Sequence, residues 1–357
     1  MNQKYLVINI GSASKKCGIY SEGLLYSVHM EKTSQGFIGT TIVGDNKNEV
    51  QITEADYSDV GMYLLKTAGI GISDVAKIGV RVVAPGKFFQ EDRIIDDAYI
   101  AKLTENQDMA PLHIEPVLAE LKEIKAWSSE IPILGISDSA FYKDMPIEAK
   151  LYALPKELAE QNGIYRYGYH GISMASVVNT IQKTEGSIPE KLIICHLGSG
   201  STITALKNGQ PIDTSMGFTP LEGVPMGSRV GNIDASAVLY FLKKGMEASA
   251  LEEIFYKKSG LLGLSGQTPF VKELIDLEKS GDIGATQALA VYARAIKKYI
   301  GAYSALLGGV DLIVFTATIG ERSEYMRDKI SSGLEYLNFK TLVVPTDEMS
   351  EMARRCN

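Results

Sequence analysis

The sequence predicts an α/β protein made of two related units. Three observations carry this reading. An apolar strand, "KYLVINI" (Lys4 to Ile10), runs into a Gly/Ser turn and a returning strand, "CGIY" (Cys17 to Tyr20). The same design recurs as "KLIICHL", "GSG" and "STITALKNGQPI" after residue 190. Each opening leads on to helical spacing, and 357 residues are enough for two domains of about 100–200 residues each. The boundary falls near residue 140, giving residues 1–139 with 348–357 as one domain and 140–347 as the other.

The elements follow in order. "KYLVINI" is β-rich and continuously apolar, as a buried strand requires. "GLLYSVHM" (Gly23 to Met30) extends the opening into a meander. Thr53 or Glu54 to about Ala68 has helical spacing. "VAKIGVRVV" (Val75 to Val83) is a strand, and "HIEPVLAELKEIKAW" (His113 to Trp127) an amphipathic helix after Pro111. "IPILGIS" (Ile131 to Ser137) is a strand that delivers Asp138 at its end. In the second half, Gly171 to Lys183 reads as a helix. The Asn208-Gly209 pair marks a tight turn. Helices are expected at Ala235 to Lys243, Ala248 to Lys257 and Ala285 to Leu307. "DLIVFT" (Asp311 to Thr316) is a buried strand, with "ATIGE" as a loop, a helix from about Arg322, and "KTLVVP" (Lys340 to Pro345) as the closing strand.

Composition excludes several classes. The net charge is -7, so a broad basic surface for nucleic acid is not expected. Cys17, Cys195 and Cys356 are odd in number and widely spaced, which suggests neither a disulfide framework nor a Cys-rich metal site. No apolar run reaches the roughly 18–20 residues of a membrane span, and the N-terminus lacks the pattern of a signal peptide. A cytoplasmic protein is the expectation.

The chemistry-bearing residues cluster at element ends. "NIGSAS" places Asn9, Gly11, Ser12 and Ser14 where backbone N–H groups and hydroxyls can face an anion, with Lys15 and Lys16 adding charge. "HLGSGST" repeats the design. "VFTATIGE" puts Gly320 at an expected helix start, where a phosphate would be favoured. Arg81 lies inside an apolar strand, so it must be paired or face a cavity. Arg229 lies in a Gly-rich loop. His113, His170 and His196 each stand at an element boundary beside Pro or Gly. HExxH, GxSxG and GxxxxGK[ST] are all absent, which removes zinc-protease, serine-hydrolase and P-loop readings.

Taken together, "LVINIGSASKK", "APLHIEP", "GIYRYGYHGIS", "DTSMGFTPLEG", "MGSRVGNID" and "FTATIGE" resemble the acetate kinase (acetokinase) family, in order and over nearly the whole chain. The resemblance implies the duplicated ribonuclease-H-like fold of actin, hexokinases and Hsp70. It implies a homodimer, and reversible phosphoryl transfer between ATP and acetate, giving ADP and acetyl phosphate. Mg²⁺, or Mn²⁺ in its place, is the implied cofactor. By the same resemblance, Asn9 and Glu348 lie near the metal, and Lys16 approaches the nucleotide phosphates. Arg81 and Arg229 flank the acyl group and the transferring phosphoryl group. His170 stabilises the transition state, Asp138 is the essential acid, and His113 lies beside the acyl site. His196, Leu197, Gly198, Ser199 and Gly200 form one nucleotide loop. Ala317, Thr318, Ile319, Gly320 and Glu321 form the other.

The departures from the family pattern concentrate on the adenosine side. Ser199 stands where Asn is usual, and Ala317 and Thr318 where two glycines are usual. Phe270-Val271-Lys272 replaces an Asp-x-Arg. Asn232 replaces Asp, and Tyr142 and Met174 replace histidines. The expected function is therefore an acetate kinase. The alternatives are the same acyl phosphate chemistry with pyrophosphate or phosphate, or with propionate or butyrate, and a binding relative without turnover.

Overall fold

The computed structural model describes residues 3–11, 14–44, 46–128 and 130–357, with Pro111 and Leu112 described by backbone only. Ser12, part of the first expected anion-facing turn, lies outside the described residues. The chain divides into two compact units. The first comprises Met1–Lys143, Gly171–Ser176 and Asp347–Asn357; the second comprises Asp144–His170 and Val177–Thr346.

The first unit is built on an eight-stranded sheet. Its strands are β1 (Lys4–Ile10), β2 (Ser14–Tyr20), β3 (Leu24–Thr33), β4 (Gly36–Val43), β5 (Asn46–Ile52), β6 (Val75–Val82), β7 (Arg93–Ile94) and β8 (Ile133–Ser137). Their order is β5-β4-β3-β2-β1-β6-β8-β7. The strands from β1 to β5 form an antiparallel meander, while β6 and β8 run parallel to β1.

Alternation along the strands sorts side chains to two faces. Leu6, Ile8, Ile78 and Val80 enter a large core with the helices Val60–Ala68 and Pro111–Trp127. Tyr5, Val7 and Ile136 go to the other face, beneath Met352, Ala353 and Cys356 of the helix Glu348–Cys356. That closeness explains Gly79, because a Cβ there would stand 2.7 Å from Ile136 and clash with the Cys356 sulfur.

The second unit carries a five-stranded sheet of β9 (Lys191–Leu197), β10 (Ser201–Lys207), β11 (Gln210–Thr214), β12 (Leu312–Thr316) and β13 (Lys340–Val343). Its order is β11-β10-β9-β12-β13. β9 pairs antiparallel with β10 and parallel with β12, and β12 pairs parallel with β13. The run β3-β2-β1-β6-β8 of the first sheet has the same order and sense. The long helix Ile283–Leu307 buries Leu289, Tyr292, Ile296 and Ile300 against this sheet, and Asp282 caps its start by accepting from Ala285 N. Among the described residues no helix is long and apolar enough to cross a membrane.

Two expectations are corrected. "ATIGE" is not a loop before a helix near Arg322. The helix Ala317–Arg322 starts directly at the end of β12, and a second helix, Glu324–Ser331, follows. Gly320 therefore lies inside the first of these, where it allows close packing on Phe315 and the Cys195 carbonyl. Lys15, expected to add charge toward an anion, is buried on the opposite face from Lys16, where its ammonium meets the Glu120 carboxylate and donates to Ser58 O at 2.9 Å. The alternation of β2 sends successive side chains to opposite faces.

Candidate active site

In the first unit, the carboxyl ends of β1, β6 and β8 bring three expected residues together. Register places Ile8 opposite Val80, so Asn9 and Arg81 follow side by side on one face. Arg81 donates to Asn9 Oδ1 at 3.1 Å, Asp138 Oδ2 at 3.0 Å and Glu348 Oε2 at 3.3 Å. Asn9 Nδ2 in turn donates to Glu348 Oε2 at 2.8 Å. Burial opposes the charge of Arg81, but Asp138 and Glu348 outweigh it and hold the guanidinium pKa above its usual value. Arg81 Nε is buried and has no hydrogen-bond partner among the described residues.

Asp138 is fully buried. Its main-chain N–H donates to Val82 O at 3.0 Å, fixing the chain as it leaves β8. The first turn of the helix Gly171–Glu185 closes over it. Gly171 N donates to Asp138 O at 2.9 Å, and Ile172 N to Asp138 Oδ1 at 3.4 Å. A Cβ at Gly171 would collide with the Asp138 carbonyl oxygen and come within 2.7 Å of Phe141 Cβ. Lys16 pairs with Asn9 across β1 and β2, which puts it on the same face, and its side chain is exposed. His113 belongs to the first turn of the helix Pro111–Trp127, and none of the bonds just given reaches it. Tyr142 and Met174 are fully buried in the first unit.

Asn9, Asp138 and Glu348 offer only oxygen ligands, which suits a hard cation. Among the described residues no group of three or more His, Cys, Asp or Glu side chains could hold a metal alone. A magnesium ion that brings phosphate oxygens of its own fits such a donor set, since it typically takes one or two carboxylates from the protein.

The second unit assembles the other expected group. Gly198 N donates to Gly200 O at 2.9 Å and tightens the turn between β9 and β10. His196 is buried near the end of β9, and its ring stacks on that of His170 with centroids 4.2 Å apart and planes 16° apart. His170 adopts φ 61°, and its Nδ1 lies 2.8 Å from Thr202 Oγ1, opposite His196 in the ladder. A Cβ on Gly200 would stand 3.1 Å from His170 Nε2 and 3.8 Å from an Arg229 terminal nitrogen, so both side chains border this glycine. Ala317 closes the other side, 3.6 Å from the Cβ position of Gly198.

Arg229 donates to Pro220 O at 3.1 Å, and among the described residues it has no carboxylate partner. Burial lowers its pKa, with only the Tyr256 phenol acting the other way. Leu197 and Ile319 turn toward the core of the second unit, so the groups they leave for a ligand are main-chain ones. Ser199 and Thr318 are exposed, and Glu321 accepts from Thr346 N at 3.1 Å. Ala317 has φ 62°, a conformation in which a side chain is strained.

Sequence reasoning missed one polar network in this unit. Arg166 donates to Glu222 Oε1 at 2.7 Å and to Thr214 O at 3.1 Å, and the Tyr152 hydroxyl bonds the same carboxylate. It pins the loop after β11 to the segment before His170. An arginine set among tyrosines in "YRYGYHG" was the available signal.

Residues 4–355 match the model of the acetokinase family. The acetate kinase of Bacillus mycoides (strain KBAB4) is 35% identical over 389 aligned residues, covering 98% of this chain and 97% of that protein. Among solved structures, Porphyromonas gingivalis acetate kinase superposes with a TM-score of 0.86 at 30% identity, over 99% of this chain and 98% of its own. A propionate kinase from Francisella tularensis subsp. tularensis SCHU S4 superposes with a TM-score of 0.89 at 28% identity and the same coverage. These matches agree with the repeated sheet order and the conjunction of Asn9, Arg81, Asp138 and Glu348, and the chain belongs to the acetokinase family.

Proposed function

We propose that the chain is an acetate kinase, moving a phosphoryl group reversibly between ATP and acetate. On this reading it works with Mg²⁺, or Mn²⁺ in its place, as a cytoplasmic homodimer. Residues 1–139 with 348–357 form its acyl and metal side, and residues 140–347 its nucleotide side.

The observation that supports it most is Arg229, a half-buried cation without a carboxylate partner among the described residues, beside His170 and the glycine turn at 198–200. Such a cation is suited to an incoming anion. In the proposed reaction an acetate oxygen attacks the γ-phosphorus in line. A new P–O bond forms as the bridging P–O bond breaks, and ADP leaves with its electron pair. The nucleophile is already ionised at neutral pH, so no general base is needed. Positioning and charge stabilisation therefore carry the catalysis. Arg229 and His170 would contact the equatorial oxygens of the transferring group. Arg81, held by Asp138 and Glu348, would orient the acetate carboxylate, with His113 beside it. Main-chain groups of His196, Leu197, Gly198, Ser199 and Gly200, with Ala317, Thr318, Ile319, Gly320 and Glu321, would border the nucleotide, and Lys16 its phosphates. Glu348, Asp138 and Asn9 would hold Mg²⁺, which when bound neutralises phosphate charge.

A second reading keeps the chemistry and changes a partner. Likeness to a propionate kinase favours a longer acid, and the strained Ala317 with the exposed Phe270 favours an altered donor site. The test is hydroxamate trapping of acyl phosphate, with acetate or propionate as acceptor and ATP, GTP or pyrophosphate as donor. Acetyl hydroxamate formed with ATP, and reduced about 10³-fold or more in Arg229→Ala, is expected. Turnover with pyrophosphate alone would replace ATP as the donor. No turnover with any pair would refute the kinase reading.

A further inference from the structure

The first unit holds a charge network that touches none of the reacting groups. It consists of Asp92, Glu351 and Arg355, set between the end of β8 and the helix Glu348–Cys356. We propose that Arg355 and Asp92 are positioning residues for the phosphoryl transfer described above, on which this role rests. They tie the helix that carries Glu348 to the strand end that carries Asp138, and so set the two carboxylates that grip Arg81.

The helix needs such a tie. It has nine residues, and isolated helices shorter than about 12–15 residues are marginal in water. Glu348 is its first residue, where fraying is greatest. Met352, Ala353 and Cys356 hold the helix to the sheet, but apolar burial is non-directional and does not fix slide or rotation. Asp347 N donates to Ser176 Oγ at 3.2 Å and anchors the start. A rod anchored at one point pivots there, so a second directional contact is required.

Arg355 supplies it. Glu348, Glu351 and Arg355 are spaced three and four residues apart and share one side of the helix. Arg355 Nε donates to Glu351 Oε1 at 2.8 Å. Arg355 Nη1 donates to Ser137 O at 3.4 Å and lies 3.6 Å from Asp92 Oδ1. Asp92 Oδ1 in turn accepts from Ser137 N at 2.8 Å. Both main-chain polar groups of Ser137 are therefore held by this ion pair. The Ser137 hydroxyl donates to Phe89 O and accepts from Ser139 N at 3.1 Å. Asp138 thus sits between two held residues. Its carboxylate and that of Glu348 meet on Arg81. The contacts close a ring, from Arg81 through Asp138 and Ser137 to Arg355, and back along the helix to Glu348.

The anchor of the ring is ionised. Burial would raise the Glu351 carboxyl, but hydrogen bonds from Arg354 and Arg355 outweigh it and hold its pKa below the usual value. Arg354 offers an internal comparison. It donates to the same carboxylate at 2.9 and 2.8 Å, and among the described residues it bonds no group at the end of β8. Its side chain is 60% exposed, against 12% for Arg355.

The test compares Arg355→Met, Arg355→Lys, Asp92→Ala and Arg354→Met in the hydroxamate assay with acetate and ATP, well below the lowest melting temperature. Arg355→Met is expected to lower kcat about tenfold or more, because small displacements of a reacting geometry are costly. The KM for ATP stays unchanged, since the groups proposed to border the nucleotide belong to the second unit. Arg355→Lys recovers part of the rate, because an ammonium keeps the charge but cannot span Glu351, Asp92 and Ser137 together. Asp92→Ala/Arg355→Met stays near the larger single loss, since both changes break one tie. Arg354→Met keeps the wild-type kcat. Equal falls in Arg354→Met and Arg355→Met, or a lower melting temperature with unchanged kcat, would reduce the network to helix adhesion and overturn the proposal. Amide hydrogen exchange over residues 133–139 reads the tie without turnover, and is expected to be faster in Arg355→Met and unchanged in Arg354→Met. Equal exchange in the two would overturn the proposal even in an active enzyme, whereas a wild type without turnover would sink the kinase reading alone.

Discussion

Replacing Lys15 by methionine tests the buried ion pair of the first unit. The Glu120 side chain is 0% exposed and that of Lys15 11%, and their charged groups touch. Burial pushes the Glu120 carboxyl up to about 7, with Lys15 pulling it down and Asp59 adding to the rise. Methionine keeps the length of the stem and removes the charge. A buried carboxylate without its partner costs about 3–5 kcal/mol, whereas replacing both charges by apolar groups is often neutral or favourable. Lys15→Met is therefore expected to lose about 3–5 kcal/mol at pH 8, and Lys15→Met/Glu120→Leu to recover most of it.

The pH dependence has a definite sign. A carboxyl whose folded pKa is raised binds its proton more tightly in the native state. Stability then falls as pH rises from the unfolded value, near 4.5, through the folded one, and is level above it. The single variant should thus lose less at pH 5 than at pH 8. Trp127 is the sole tryptophan, and it lies on the same helix as Glu120, so urea unfolding followed by its fluorescence reports on the first unit alone. A loss below about 1 kcal/mol, equal at both pH values, would show that Glu120 is solvated and would refute the reasoning.

Three further outcomes are expected. Ala317→Gly relieves a left-handed backbone position and should stabilise the second unit by about 0.5–1 kcal/mol, read by thermal unfolding, without lowering hydroxamate formation. Gly171→Ala drives a Cβ into the Asp138 carbonyl, and a cost of about 1–3 kcal/mol with a fall in kcat is expected from melting and turnover assays. Arg81→Lys cannot span Asn9, Asp138 and Glu348 together, so kcat should drop about 10²-fold or more in the same assay while the melting temperature changes little.

Much of this architecture was legible because it is written in short local patterns. "KYLVINI" and "KLIICHL" each end in a Gly/Ser turn, and the structure makes each the central strand of a sheet of matching order. Arg81 could be read as needing a partner because an unpaired charge in an apolar strand is costly, and the structure supplies Asp138 and Glu348. The edge of the first sheet was not legible. "NKNEVQI" is exposed along nearly all its length, so β5 has no apolar face to betray a strand. The helix Ala317–Arg322 has six residues, too few for a 3.6-residue period to show, and its threonine and isoleucine suggest a strand end. Lys15 was misjudged because its partner lies 105 residues away, beyond the reach of any local pattern.

The covering of the first sheet has a consequence for synthesis on the ribosome. Chains emerge from the N-terminus at about 5–20 residues per second, and early segments begin to fold first. Yet one face of the first sheet is sealed by Met352, Ala353 and Cys356, and Arg81 acquires Glu348 from the same helix. The strands that hold Asn9 and Arg81 thus exist long before the residues that complete their surroundings. During translation that apolar face waits for its cover, a period in which chaperones can bind it. A chain without the helix Glu348–Cys356 would keep the strands of both sheets and leave Asn9 and Arg81 without the Glu348 carboxylate.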